Sequence, residues 1–446
     1  MNKKDIMMAL FVSLGSILYA TEDSTTVRWS LQECITQGIE QNYQLQIQRE
    51  YQAVSDRNAT IGNAGYLPSL DMNAGYSGQY NSSDSEKEDG TTETRNGELN
   101  QQYNAGLNLS WTIFDGLKMQ ASYAKLKELK SMGELRTRIQ IDNTAASIAA
   151  GYYQLIRQKI KLRNLKAALD LSKERLRIVE ERYHIGSSSR LELQQAKVDY
   201  NADNALYLKQ TEVVYTARIT LNELMGIANI NQKTDVTNEE IHLAPMVSKD
   251  ELWQRTLDAN LSLLNAEKNR QLSVEDLRIA RSKNYPYLKL NAGYGYNGNR
   301  YEVGPTIQRD QLGFNYGATI GISIFDGMNR QREQRNAKTQ IRIAELEKQS
   351  LELGLKADMS NLWMAYTNNL MLLRQECQNV ETAKEYLEIA MERYKLGDLS
   401  GIELREAQNS LLAAEERLST AEYETKVCEI SLMQLSGDIL PFLYQD

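Results

Sequence analysis

The chain has 446 residues, 41% hydrophobic and 25% charged, with a formal charge of −8 and only 5 prolines. After the first twenty positions no apolar run approaches the roughly 18 residues of a spanning helix, which excludes a helical membrane bundle, and the acidic balance speaks against nucleic acid as a partner. Prolines far below the usual ~5% point to long uninterrupted helices rather than to the about three compact domains that length alone suggests.

Residues 1–20 read as an export signal. Lys3-Lys4 precedes the apolar stretch Ile6 to Leu18, and Leu18-Tyr19-Ala20 ends in a small residue before the polar Thr21-Glu22-Asp23. No cysteine follows that cleavage site, so no lipid anchor is expected there. The three cysteines, Cys34, Cys377 and Cys428, are too few and too odd in number for a disulfide framework and read as buried small hydrophobes.

The chain is written twice. Glu181-Arg182-Tyr183-His184-Ile185-Gly186 returns 211 residues later as Glu392-Arg393-Tyr394-Lys395-Leu396-Gly397. The same offset carries Phe114-Asp115-Gly116 onto Phe325-Asp326-Gly327, and Asn73-Ala74-Gly75-Tyr76 recurs at an offset of 218 as Asn291-Ala292-Gly293-Tyr294. A first repeat over residues 21–226, a linker over 227–249, a second repeat over 250–437 and a tail over 438–446 follow from this order.

Each repeat holds two stretches of strict alternation, predicting strands at about 67–80, 102–114, 286–297 and 311–325. Leu70, Met72, Ala74, Tyr76 and Tyr80 share one face and Asp71, Asn73, Ser77 and Gln79 the other. At about 10 to 12 residues each, with aromatic residues towards the ends, these strands suit a tilted bilayer crossing with lipid outside and water within. The polar segments Asn81 to Gln102 and Gly298 to Gln311 are then expected as exposed loops. Four strands cannot close a membrane barrel, which starts at about eight, and open edges are not tolerated in lipid, so several copies must combine.

Long helices carry the rest, in hairpins over residues 117–226 and 328–437. Ile141, Ile148, Leu155, Leu162, Leu169, Leu176 and Tyr183 recur every seven residues, as do Leu193, Tyr200, Tyr207, Val214 and Leu221. In the second repeat Ala407, Ala414, Ala421 and Cys428 form a seam of small residues. A proline-free run from Leu117 to Ile185 makes a rod of about 100 Å, too long to lie within a bilayer. The hairpins turn at Gly186, Ser187, Ser188, Ser189 and Arg190 in one repeat and at Gly397, Asp398, Leu399, Ser400 and Gly401 in the other, where glycine ends a helix and serine caps the next. Two like tips so far from the strands suggest a surface for a partner.

No enzymatic chemistry stands out. The metal motifs H-E-x-x-H and C-x-x-C are absent, and the two histidines, His184 and His242, lie in unrelated contexts. Gly293-Tyr294-Gly295-Tyr296-Asn297-Gly298 spells G-x-G-x-x-G, but inside an alternating strand with no helix after it, so the dinucleotide reading fails. No metal or cofactor is expected.

The export signal, the duplicated helix–strand–strand–helix plan and hairpins ending in Arg-Tyr-x-x-Gly together resemble the TolC family of outer-membrane efflux channels, over nearly the whole chain from Trp29 to Gly437. The resemblance implies an α+β membrane protein with an internal two-fold repeat. It implies a homotrimer whose four strands per chain complete a twelve-stranded β-barrel above a long periplasmic α-helical coiled-coil tunnel. Residues 227–249 and the tail would form an equatorial belt. It further implies partners, a periplasmic adaptor at the two tips and an inner-membrane RND or ABC transporter, in tripartite efflux or type I secretion. On the same grounds Glu403 and Glu406 fall where the family carries acidic rings at the closed tunnel mouth, and Tyr394 and Glu192 where it carries a closing network. Leu399 departs from a position that is often basic there, which puts the salt-bridge latch to Glu192 in doubt. Two other classes compete: an exported coiled-coil structural or adhesive protein, for which heptads alone suffice, and a stand-alone porin, which has no need of rods.

Overall fold

A computed structural model of the protein describes residues 26–302 and 306–444; the expected export signal and the end of the tail lie outside the described residues. The chain begins with strand β1 (Val27–Trp29), helices α1 (Leu31–Gln41) and α2 (Tyr43–Asn58), and strands β2 (Ser69–Glu86) and β3 (Thr92–Phe114). Helix α3 (Lys118–His184) leads out and α4 (Arg190–Leu224) leads back, before strand β4 (Thr234–Val236). The order then recurs as α5 (Lys249–Ala259), α6 (Leu261–Ser282), β5 (Tyr287–Tyr301), β6 (Gln308–Gly321), α7 (Asn329–Leu396) and α8 (Gly401–Ser436), with a short α9 (Ile439–Leu443) at the end.

The four long strands form one antiparallel sheet in the order β2-β3-β5-β6, so β2 and β6 are both edges. Its ladder reaches further than the alternating pattern. Residues 81–86 and 92–101, expected in a loop, continue β2 and β3 to a five-residue turn, and β5 and β6 likewise run to Tyr301 and from Gln308. Backbone pairing needs no apolar face, so a polar hairpin can extend a ladder that an amphipathic stretch has already set in register. At the other end β6 stops at Gly321, short of the predicted 325, leaving the exposed Ile322 and Ile324 outside the strand.

Both long helices leave the sheet through the same corner. Gly116 and Leu117 take left-handed backbone at φ 72° each, as do Gly327 and Met328 at 69° and 66°. A non-glycine residue there costs about 1–2 kcal/mol, and the corner offsets it by capping. Asp115 accepts the Met119 N–H at 3.1 Å and Asp326 accepts the Arg330 N–H at 3.0 Å.

With 67 residues, α3 is a rod of about 100 Å. Towards the sheet the helices pack in the order α2–α3–α6–α7, and towards the tips in the order α4–α3–α8–α7. The largest core lies at the waist between these halves, where Ile35, Tyr152, Leu221 and Ile439 are fully buried and β1 pairs with β4 in parallel. Each such aliphatic side chain contributes about 1.5–3 kcal/mol. There α8 buries Lys426, 3.3 Å from Glu429 and about 5 Å from the rings of Tyr153 and Phe442, which ties α9 to α3. Among the described residues no helix is long and apolar enough to cross a membrane.

Of the cysteines, Cys34 and Cys428 are buried, and burial pushes the Cys34 thiol up to about 12. Cys377 corrects the expectation for all three: it is exposed on α7.

Candidate functional site: the paired hairpin tips

The two tips are built by the same local chemistry. Each long helix ends in a left-handed glycine, Gly186 at φ 79° and Gly397 at 84°, whose N–H returns to Tyr183 and Tyr394 respectively at 3.0 Å. The next N–H closes the turn: Ser187 donates to the Arg182 carbonyl at 2.8 Å and Asp398 to the Arg393 carbonyl at 3.0 Å. Ser189 and Ser400 then cap the returning helices by accepting the N–H of Glu192 at 3.1 Å and of Glu403 at 3.3 Å. In the second tip Arg393 grips Asp398 at 2.9 Å, an exposed pair that adds little. Arg190 opens α4 and is exposed.

The four residues assigned to a tunnel mouth divide. Tyr394 is 1% exposed, with the Arg182 guanidinium 5.1 Å over its ring. Burial pushes its hydroxyl above the ordinary range, and the Glu192 charge adds to this. Glu192 is half-buried and accepts a hydrogen bond from Ser188 at 2.6 Å. Leu399 packs into the apolar cluster of Val179, Leu193, Tyr394 and Leu404, so no cation stands at that position to latch Glu192. Glu403 points back into its own capping box, where the Ser400 N–H and hydroxyl, at 3.0 and 2.7 Å, hold its carboxyl below the usual range. Glu406 is exposed.

Sequence reasoning missed two things here. The first is apolar: Ile185, Leu191, Leu396 and Ile402 are 75–84% exposed, two on each tip, and the last three line a cleft together with Arg182, Ser187 and Leu399. The offset of 211 relates Ile185 to Leu396 and Leu191 to Ile402, a signal present in the sequence. Four large side chains thus face water close together, an uncommon cluster for a soluble surface.

The second is a buried polar lattice joining the hairpins. Arg405 of α8 reaches Asp203 of α4 through two hydrogen bonds of 2.6 and 2.7 Å, and Asp203, 2% exposed, also accepts from Gln408 at 3.1 Å and from Ser172. Nearby Arg175, equally buried, pairs with Asp199 at 2.8 Å and lies against Gly401, where a β-carbon would sit 3.0 Å from its guanidinium. Arg182 crosses from α3 to cap the end of α7 through the carbonyls of Tyr394 and Lys395, at 3.0 and 3.2 Å. The first and second hairpins are thus held together within one chain.

This architecture is shared. The profile of the outer membrane efflux protein family matches residues 34–227 and 252–438. "Outer membrane protein TolC" of Vibrio cholerae is 22% identical over 97% of this chain and 95% of its own length. "Pyoverdine export outer membrane protein OpmQ" of Pseudomonas aeruginosa is 25% identical over 80% of this chain and 74% of its own. Among solved structures, the CmeC outer membrane channel of Campylobacter jejuni superposes with a TM-score of 0.76 at 18% identity, covering 92% of this chain and 86% of that one. The family is one of transport channels rather than enzymes. With its amphiphilic sheet, its long rods and a family match over most of its length, the chain belongs to the outer membrane efflux protein family and serves in the outer membrane as an exit duct.

Proposed function

We propose that three copies close a twelve-stranded barrel in the outer membrane and continue it as a periplasmic α-helical tunnel. The duct passively conducts what an inner-membrane RND or ABC transporter delivers through a periplasmic adaptor. The observation that carries this reading is a four-stranded sheet with both edges open and one face of Leu, Tyr, Trp and Ile exposed, since lipid tolerates no open edge. The helices support it. One flank of the chain exposes Tyr43, Ile47, Tyr51 and Val54 on α2 and Val198 on α4, while the opposite flank exposes Leu353, Met364, Met371 and Ile389 on α7. Two unlike apolar flanks on opposite sides make a head-to-tail contact that closes into a ring.

The tips serve as the adaptor seat, with Ile185, Leu191, Leu396 and Ile402 filling apolar pockets of the partner around the turns Gly186 to Arg190 and Gly397 to Gly401. Tyr394 and Glu192 belong to the closing network of the tunnel mouth, and Glu403 and Glu406 to its acidic ring. One relative is named for pyoverdine export and another as the cation efflux system protein CusC of Escherichia coli. In our reading one duct shape serves several cargoes and the pump makes the selection. The test is capture from crosslinked cells. Leu191→Asp with Ile402→Asp lowers adaptor recovery by about tenfold or more while the trimer persists; unchanged recovery returns the tips to well-capped turns.

A further inference from the structure

The four long strands carry the repeat of the sequence into their pairing. At an offset of 218, Asn73-Ala74-Gly75-Tyr76 of β2 becomes Asn291-Ala292-Gly293-Tyr294 of β5. At an offset of 211, Tyr103-Asn104-Ala105-Gly106 of β3 becomes Phe314-Asn315-Tyr316-Gly317 of β6. Register obeys the same relation: Gly75 pairs with Asn104 in the first hairpin, and their images Gly293 and Asn315 pair in the second. The side chains follow suit, since a β-carbon at Gly75 would meet the Asn104 Oδ1 at 2.5 Å and one at Gly293 the Asn315 Oδ1 at 2.5 Å.

One contact of the sheet has no image within the chain. β3 pairs with β5 from Asn100 opposite Tyr301 to Thr112 opposite Lys289, and the two offsets carry β3 onto β6 and β5 onto β2. Within one chain β2 and β6 are the two edges of an open sheet, and four strands do not close a barrel, so that image lies between copies. We propose that β6 docks on β2 of the next copy in this one register. Gly313 then stands opposite Asn81, Phe314 opposite Tyr80, Asn315 opposite Gln79, Tyr316 opposite Gly78 and Gly317 opposite Ser77. The inference rests on the barrel reading above and adds which residues meet.

Three observations independent of the offsets favour this register. A β-carbon at Gly313 or Gly317 would meet nothing within 4 Å, whereas at Gly75, Gly106, Gly293 and Gly295 it would be crowded. Both open glycines lie on the β6 edge, and the register brings Asn81 and Ser77 of the next copy against them, the asparagine facing its glycine as Asn104 faces Gly75. On the other face Tyr316, 83% exposed, comes opposite Gly78 and the exposed Tyr76 opposite Ala318, so each large ring meets a small residue, while Phe314 and Tyr80 form an aromatic pair. Finally, β6 stops at Gly321, opposite the first residue of β5, Tyr287, so only a strand on its free side can carry it further. The register places Met72 of the next copy opposite the exposed Ile322, which lengthens β6 towards the end that its alternating pattern predicts.

The test is disulfide linkage between copies of the full-length protein carrying Cys377→Ser, which leaves only the buried Cys34 and Cys428. Under mild oxidation in the membrane, Gly313→Cys with Asn81→Cys, and separately Phe314→Cys with Tyr80→Cys, are expected to link most of the protein into covalent assemblies of three chains on non-reducing gels. Adjacent antiparallel pairs alternate between α-carbon spacings of about 4.5 and 5.5 Å, both within reach of a disulfide. Moving one partner by two residues, as Gly313→Cys with Gln79→Cys or with Ser83→Cys, widens the gap to about 7–8 Å and should lower linkage about fivefold or more. Stronger linkage of a displaced pair, or no linkage of either expected pair in protein that native mass spectrometry counts as three chains, overturns the register while the barrel stands. Protein that remains monomeric before any cysteine is introduced is a different result and overturns the barrel reading itself.

Discussion

Asp142 on α3 shows how a single charge is balanced in this fold. It lines a cavity at the waist with Asn143, Asp358 and Gln434, and burial raises its carboxyl to about 6 although Arg138 opposes the shift. A carboxyl raised in the folded state binds its proton more tightly there than in the unfolded chain. Its favourable contribution is therefore complete below about pH 4 and is lost as pH rises through about 6. Asp142→Asn removes the neutral-pH penalty. It should stabilise the protein by roughly 1–2 kcal/mol at pH 7.5, since solvent reaches part of the group, and by little at pH 4. Thermal melts at the two pH values check this, and equal shifts at both would refute the assignment.

At the scale of elements, the buried lattice between the hairpins is the contact most exposed to test. Asp203→Ala leaves the Arg405 guanidinium facing a desolvated gap and should cost about 3–5 kcal/mol, whereas Asp203→Leu with Arg405→Leu should recover most of the loss. Denaturant unfolding of the two variants separates them, and additive losses would mean that the pair is not coupled.

Much of the element plan was legible because burial imposes a period on it. Ile148, Leu155, Leu169, Val214 and Leu221 keep their seven-residue spacing and are buried, and the alternation of Leu70 to Tyr80 became a strand. The polar extension of β2 and β3 was not legible, since its ladder is made by backbone groups that every residue carries. Nor was the lattice, because heptad charges look alike whether solvated or buried. A sign of it does exist: at the offset of 211, Asp203 corresponds to Ala414 and Arg405 to Gln194, so the pair breaks the repeat. The tips were located by their glycines and serines, and their apolar residues were overlooked because exposed leucine and isoleucine carry no period.

On the scale of the whole molecule, the chain is half-finished by itself. Its sheet has two free edges, its two helical flanks expose unlike apolar stripes, and its tips present four large side chains to water. Each is costly in isolation, and the assembly we propose supplies an occupant for each: neighbouring copies for the edges and flanks, lipid for the outer sheet face, and an adaptor for the tips. If three copies close one barrel, native mass spectrometry of the full protein released from lipid nanodiscs counts them. A single assembly of three chains is expected. A monomer, or a ring of two or four, would contradict it.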